Sequence, residues 1–159
     1  MTREVPLVAV DANALDRDGS ERDASVARLR RLAAAGRLRL FVPVGVAAEM
    51  RHPQAPEAVR AAPEAAAPRP AGRPLTPRQH IDRIRVRAVM RGDGRPGKHD
   101  ADASHLSEAA EAGCHAFLTR DGKILRKRDI LRAALPPALR IVTLEDFLAG
   151  FPAGDDPDA

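Results

Sequence analysis

The sequence predicts an α/β protein, a three-layer α/β/α sandwich around a central parallel sheet. Three observations carry this. Short apolar runs recur along the chain and read as buried strands. Helix-patterned segments separate one run from the next, which is the order of a parallel sheet covered on both faces. A chain of 159 residues suits one domain and can bury a core without disulfides or a structural metal. No internal repeat is present.

The elements follow in order. "VPLVAVD" is the first strand and ends in Asp11. "ASVARLRRLAAAG" places Val26, Leu29, Leu32 and Ala33 at helical spacing and stops at Gly36, a suitable C-terminal cap. "RLRLFVPV" is the second strand. "PVGVAAEMR" is a short helix opened by Pro43. Residues 53–75 are rich in Ala and Pro and read as a long mobile loop with at most one short helix. "TPRQHIDRIRVRAVMRG" is a helix capped by Thr76, with Pro77 in its first turn. Its expected apolar stripe is Ile81, Ile84, Ala88 and Val89, and its arginines make the rest strongly basic.

"RGDGRPGKH" is a turn-rich break. A helix then runs from about residue 101 to 112 and stops at Gly113. "CHAFLT" is a strand, "DGKILRKRDILRAAL" is helical at least in part, and "LRIVT" is the last strand. "TLEDFLAG" closes the domain at about residue 150, with Thr143 and Asp146 placed as a capping pair. Residues 151–159 read as a disordered tail.

Composition narrows the function. The balance is basic, 26 Lys and Arg against 22 Asp and Glu, which is compatible with a nucleic-acid partner. With no Trp or Tyr and four Phe, stacking on single-stranded bases is not the main tool. The single cysteine, Cys114, excludes a disulfide framework within the chain and a Cys-rich zinc site, and its apolar surroundings predict a buried, inert thiol. No leader pattern and no apolar run near the ~18 residues of a membrane span are present, so a soluble cytoplasmic protein is expected.

The chemistry is expected where strands end. In open α/β sheets, ligands collect at the carboxyl ends of the strands. Asp11 ends the first strand and Asp121 follows the third. Asp102 sits at the start of the helix that feeds the third strand, on a face shared with Leu106, Ala109, Ala110 and Gly113. Glu49 lies near the end of the short helix after the second strand. Four carboxylates converging at one edge would repel, and a shared cation relieves that repulsion. Carboxylate oxygens completed by water suit Mg²⁺ or Mn²⁺. A cation so held can bind a phosphate oxygen and activate water for phosphodiester hydrolysis.

Taken in order, "VAVDANAL", the Glu of "VGVAAEMR", "DADASHLSEAAEAGCHAFLTRDGKIL" and "IVTLEDFLA" resemble the PIN-domain nucleases over residues 5 to about 149. The likeness is strongest from 99 to 124. It implies a metal-dependent ribonuclease of single-stranded RNA, using Mg²⁺ or Mn²⁺. By position, Asp11, Glu49, Asp102 and Asp121 match the family's acids. Asn13 matches a polar residue two after the first acid, and Thr119 one two before the last. Many bacterial members are toxins held by a cognate antitoxin, and such domains often pair as homodimers. The Pro-rich stretch 53–75 departs from the family pattern.

Asp100 is expected to be a helix cap or to support the neighbouring acid. Arg120, Lys123 and Arg126, with Lys127 and Arg128 after them, are candidates for RNA phosphate contact. His99 and His105, six apart, face different sides of a helix and do not chelate together. Two rivals stand against the nuclease. One is a PIN-like module that binds RNA or protein without cutting. The other is a Mg²⁺-dependent phosphatase, which wants a second Asp two residues after the first; Asn13 holds that place.

Overall fold

The computed structural model describes residues 4–16, 19–43, 45–46 and 74–156. Four parallel strands form one sheet: β1 (Leu7–Val10), β2 (Arg39–Phe41), β3 (Ala116–Leu118) and β4 (Arg140–Val142), in the order β2-β1-β3-β4. Ala9 is level with Phe41 on one side and with Phe117 on the other, and Phe117 in turn with Ile141. Five helices with both ends among the described residues accompany them: α1 (Arg22–Ala34), α2 (Pro77–Arg91), α3 (Asp100–Glu111), α4 (Gly122–Leu131) and α5 (Leu144–Ala149).

Side chains alternate across a strand, so each strand feeds two cores. Val8, Val10, Leu40, Ala116 and Leu118 join Val26, Leu29 and Leu32 of α1 and Leu144 and Leu148 of α5. Ala9, Phe41, Phe117 and Ile141 join Val86 and Met90 of α2, Leu106 and Ala109 of α3, and Ile124 and Leu131 of α4. Helices therefore cover both faces of the parallel sheet. The handedness of crossovers explains the division. The chain leaves β1 one way to reach β2 and leaves β3 the other way to reach β4, so α1 and α4 fall on opposite faces.

Local chemistry sets the helix ends. Thr76 Oγ1 accepts the Gln79 backbone N–H at 3.2 Å and Gln79 Oε1 accepts that of Thr76 at 2.9 Å, a reciprocal capping box. Gly36 and Gly113 adopt φ of +73° and +77° after α1 and α3. The next residues, Arg37 and Cys114, then return N–H groups to Leu32 and Ala109 carbonyls at 2.9 and 3.0 Å, satisfying groups that a helix end leaves open. Thr143 Oγ1 caps α5 through the Asp146 N–H.

Three expectations are corrected. The buried stripe of α2 is Val86 and Met90, with Val89, as expected, partly buried against the same core, while Ile81 and Ile84 are 47% and 65% exposed and Ala88 is exposed too. Both stripes have helical spacing, and the packed one is the one facing α3 and α4. The tail is ordered as far as Asp156. Arg28 on α1 holds the Asp156 carboxylate at 2.9 and 3.1 Å and the Leu148 and Phe151 carbonyls at 3.2 and 2.9 Å, and Phe151 lies on Phe147 with ring centroids 5.2 Å apart. Lys127 is structural: its ammonium donates to the Val89 and Met90 carbonyls at 3.0 and 2.9 Å, closing the C-terminus of α2 where cations are favoured. The short helix opened by Pro43 is seen only as helical Gly45 and Val46; Glu49 and the loop to residue 73 lie outside the described residues.

Candidate functional site

The strand order reverses direction between β1 and β3, and a crevice for ligands forms at the carboxyl ends of two such strands. The backbone pins this edge. The Asp11 N–H donates to the Leu118 carbonyl at 2.9 Å, and the Thr119 N–H to that of Val142 at 3.2 Å. Asp11 and Thr119, the first residues past two adjacent strands, are thereby level. Asp11 is 6% exposed and Thr119 fully buried.

Their side chains meet. Thr119 Oγ1 lies 3.0 Å from Asp11 Oδ2 and also 3.0 Å from the Asp121 backbone nitrogen. The amide can only donate, so it takes a lone pair of the hydroxyl and directs the single hydroxyl proton to Asp11. A buried carboxylate is costly without such a donor. One hydroxyl thus orients Asp11 and fixes the backbone that carries Asp121. A second tie runs beside it: Asn13, in the 3-10 turn Ala12–Leu15, accepts the Arg120 N–H on Oδ1 at 3.0 Å. Asn13 and Thr119, expected beside the acids, are the two side chains that lock segment 11–13 to segment 119–121.

Asp121 has two roles available. Its Oδ1 accepts the Lys123 N–H at 2.9 Å and caps α4, as Asp does well at a helix start. Its Oδ2 makes no hydrogen bond among the described residues and is open to a ligand. Arg126 places its guanidinium over Gly122, since a Cβ built there would stand 3.0 Å from Nη1, so a cation overlies the first turn of α4 beside Asp121. Arg120 is half-buried, and its Nε and Nη2 are buried with no hydrogen-bond partner among the described residues. Guanidinium N–H groups without acceptors are costly, and an anion at this edge would satisfy them. Lys123 is exposed on the same turn.

Asp102 reaches the edge from α3. That helix ends where β3 begins and packs Leu106 and Ala109 against the sheet, so its first turn lies toward the carboxyl ends. The Asp102 side chain is 25% exposed, above Leu106 and Ala109, which are buried. The cap expected from Asp100 is absent. His99 is the N-cap, in a left-handed conformation (φ +63°) uncommon outside glycine, and its Nδ1 lies 3.5 Å from Asp102 Oδ2. Asp100 is instead the first residue of the helix, its Oδ1 3.9 Å from Arg87 Nε and buried without a hydrogen bond among the described residues. Sequence reasoning missed the approach of His99 to Asp102, because nothing in "GKHD" announces a histidine at positive φ. It also left His105 without a role. That side chain is 3% exposed one turn below Asp102, with Nδ1 making no hydrogen bond among the described residues and Nε2 2.6 Å from where a Cβ on Gly45 would stand.

The donor set fits a hard divalent cation in chemistry: carboxylates at one sheet edge, with Asp121 Oδ2 open. Asp11 and Asp121 are joined through Thr119, and Asp102 lies in the first turn of α3, which packs on the same face of the sheet as α4. Among the described residues, however, no three of His, Cys, Asp and Glu gather as one metal-ligating group, and Glu49 lies outside them. No helix among the described residues is long and apolar enough to cross a membrane. Comparison with protein families, with curated proteins and with solved structures finds no match.

Proposed function

We propose that the protein is a divalent-cation-dependent endoribonuclease of PIN type, acting on single-stranded RNA. The observation that carries the reading is the Asp11–Thr119–Asp121 linkage at the reversal of strand order. A chain that only needed to fold would not gain from burying a carboxylate there and tying it through one hydroxyl to the backbone of a second acidic residue.

Asp11, Asp121 and Asp102 would hold Mg²⁺ or Mn²⁺, with Glu49 joining them by its place in the sequence pattern. When bound, such a cation draws charge from a phosphate oxygen and makes a water a better nucleophile. Thr119 keeps Asp11 aimed and Asn13 keeps the 120–121 backbone in place. Arg120, Lys123 and Arg126 supply positive charge for the RNA phosphates flanking the cut. No side-chain nucleophile is required, and the products expected are a 5′-phosphate and a 3′-hydroxyl. One observation favours the rival, a PIN-like module that binds without cutting: no three ligating side chains form one group among the described residues.

The test is cleavage of a mixed-sequence single-stranded RNA by the purified chain with Mg²⁺, Mn²⁺ or EDTA, beside a folded Asp102→Asn variant. Metal-dependent cutting by the wild type alone supports the nuclease. Absence of cutting in every metal, even after denaturing and refolding to strip a bound inhibitor, supports the binding module. Equal cutting by both proteins removes Asp102 from the site.

A further inference from the structure

The outward face of α2 is a feature of the surface that the nuclease reading leaves unused. Viewed down the helix at 100° per residue, Pro77, Ile81, Ile84 and Ala88 form one narrow stripe, opposite the buried Val86 and Met90. All four are exposed, Ile81 at 47% and Ile84 at 65%. Isolated exposed isoleucines are ordinary, but a stripe at i, i+3 and i+7 on a well-capped helix is the pattern that seats another helix. Arg85 and Arg78 border it on one side, Arg87 and Arg91 on the other. Asp82, next to Arg78, is already engaged by it at 3.1 Å.

We infer that this face docks an acidic amphipathic helix of a partner protein, whose apolar stripe covers Ile81, Ile84 and Ala88 while its carboxylates meet the bordering arginines. Charge decides between occupants. A second copy of the same face would set arginine against arginine. The chain's own segment 47–73 carries three glutamates against four arginines, so it offers no acidic surplus. RNA would match the arginines and leave the isoleucines in water.

The protein has five isoleucines, so methyl NMR of the ¹³C-Ile-labelled full chain resolves the face directly. The probe is a synthetic helical peptide with Leu at i, i+3, i+4 and i+7 and Glu at most other positions. Its counterpart with Lys for Glu and a single-stranded RNA oligonucleotide are titrated in parallel. The Glu/Leu peptide is expected to shift the Ile81 and Ile84 methyls and leave the buried Ile124 in place. Ile84→Glu and, separately, Arg85→Glu, both at exposed positions, are expected to weaken it at least tenfold. No shift, an equal response to the Lys/Leu peptide, or binding unchanged in both variants overturns the proposal. Shifts of the same two methyls by RNA, or by raising the protein concentration alone, overturn it in favour of a nucleic-acid face or of self-association.

Discussion

Replacing Thr119 by Val keeps the side-chain shape and removes only the hydroxyl that joins Asp11 to Asp121. The structure sets the size of the effect. Thr119 is fully buried, and its Oγ1 makes one bond to a buried carboxylate and accepts one from an amide, each 3.0 Å long. A hydrogen bond to a charged group contributes roughly 1.5–3 kcal/mol, and an amide left unsatisfied costs about 1 kcal/mol more. The loss expected is therefore ~2.5–4 kcal/mol, toward the lower end because Asp11 has a further interaction. Thr119→Ser is the control. It keeps both bonds and loses a methyl, for about 1 kcal/mol. Urea unfolding followed by circular dichroism reads both variants through the midpoint, with the slope unchanged. A Val variant within ~0.5 kcal/mol of wild type, or a Ser variant as unstable as the Val, would refute the linkage as an organising element of the edge.

Three further outcomes are expected. Arg83 grips Glu111 with two bonds of 2.6 Å; the Glu111 side chain is 4% exposed, and this fork raises the Arg83 pKa. Arg83→Leu should cost ~2 kcal/mol, below the usual range for a buried pair because the Arg83 side chain is 30% exposed, and adding Glu111→Leu should recover most of it in a thermal melt. Gly45→Ala should destabilise by about 1–3 kcal/mol, since its Cβ would stand 2.6 Å from His105 Nε2 in a buried ring, and His105→Ala should relieve the clash in the double variant. Burial pushes the Cys114 thiol up to about 12 from 9.0, so it should resist a disulfide reagent at pH 8 until urea unfolds the chain. The same shift has a sign for stability. The folded state holds the proton more tightly, so its contribution is full below pH ~9 and lost as pH rises toward 12, and Cys114→Ala should flatten that decline.

Much of the fold follows from local signals. The apolar runs mark the strands, Thr76 with Pro77 and Thr143 with Asp146 mark helix starts, and Gly36 and Gly113 mark helix ends. These are legible because each depends on residues within one turn of each other. At the site, Asp11 and Asp121 are legible for a related reason: strand ends of a parallel sheet are neighbours whatever lies between them. Asn13 and Thr119 are reached only through the family resemblance. What was not legible depends on contacts distant in sequence. Two stripes of α2 have equal helical claims, and only the packing of α3 and α4 selects Val86 and Met90 over Ile81 and Ile84. The order of residues 151–156 rests on Arg28, more than a hundred positions away. Lys127 reads as one more basic side chain until the end of α2 is placed beside it. The left-handed His99 is not legible either, since positive φ is uncommon outside glycine and no neighbouring residue announces it.

The most direct test of the central claim is binding of Mn²⁺ to the purified chain, followed by electron paramagnetic resonance, beside Asp11→Asn and Asp121→Asn. The account predicts that the wild type binds the ion in the millimolar range or better and that each substitution weakens it by about tenfold or more. Mn²⁺ binding that is equal in all three proteins, or absent from the wild type at ~10 mM, would contradict a cation site between the ends of β1 and β3.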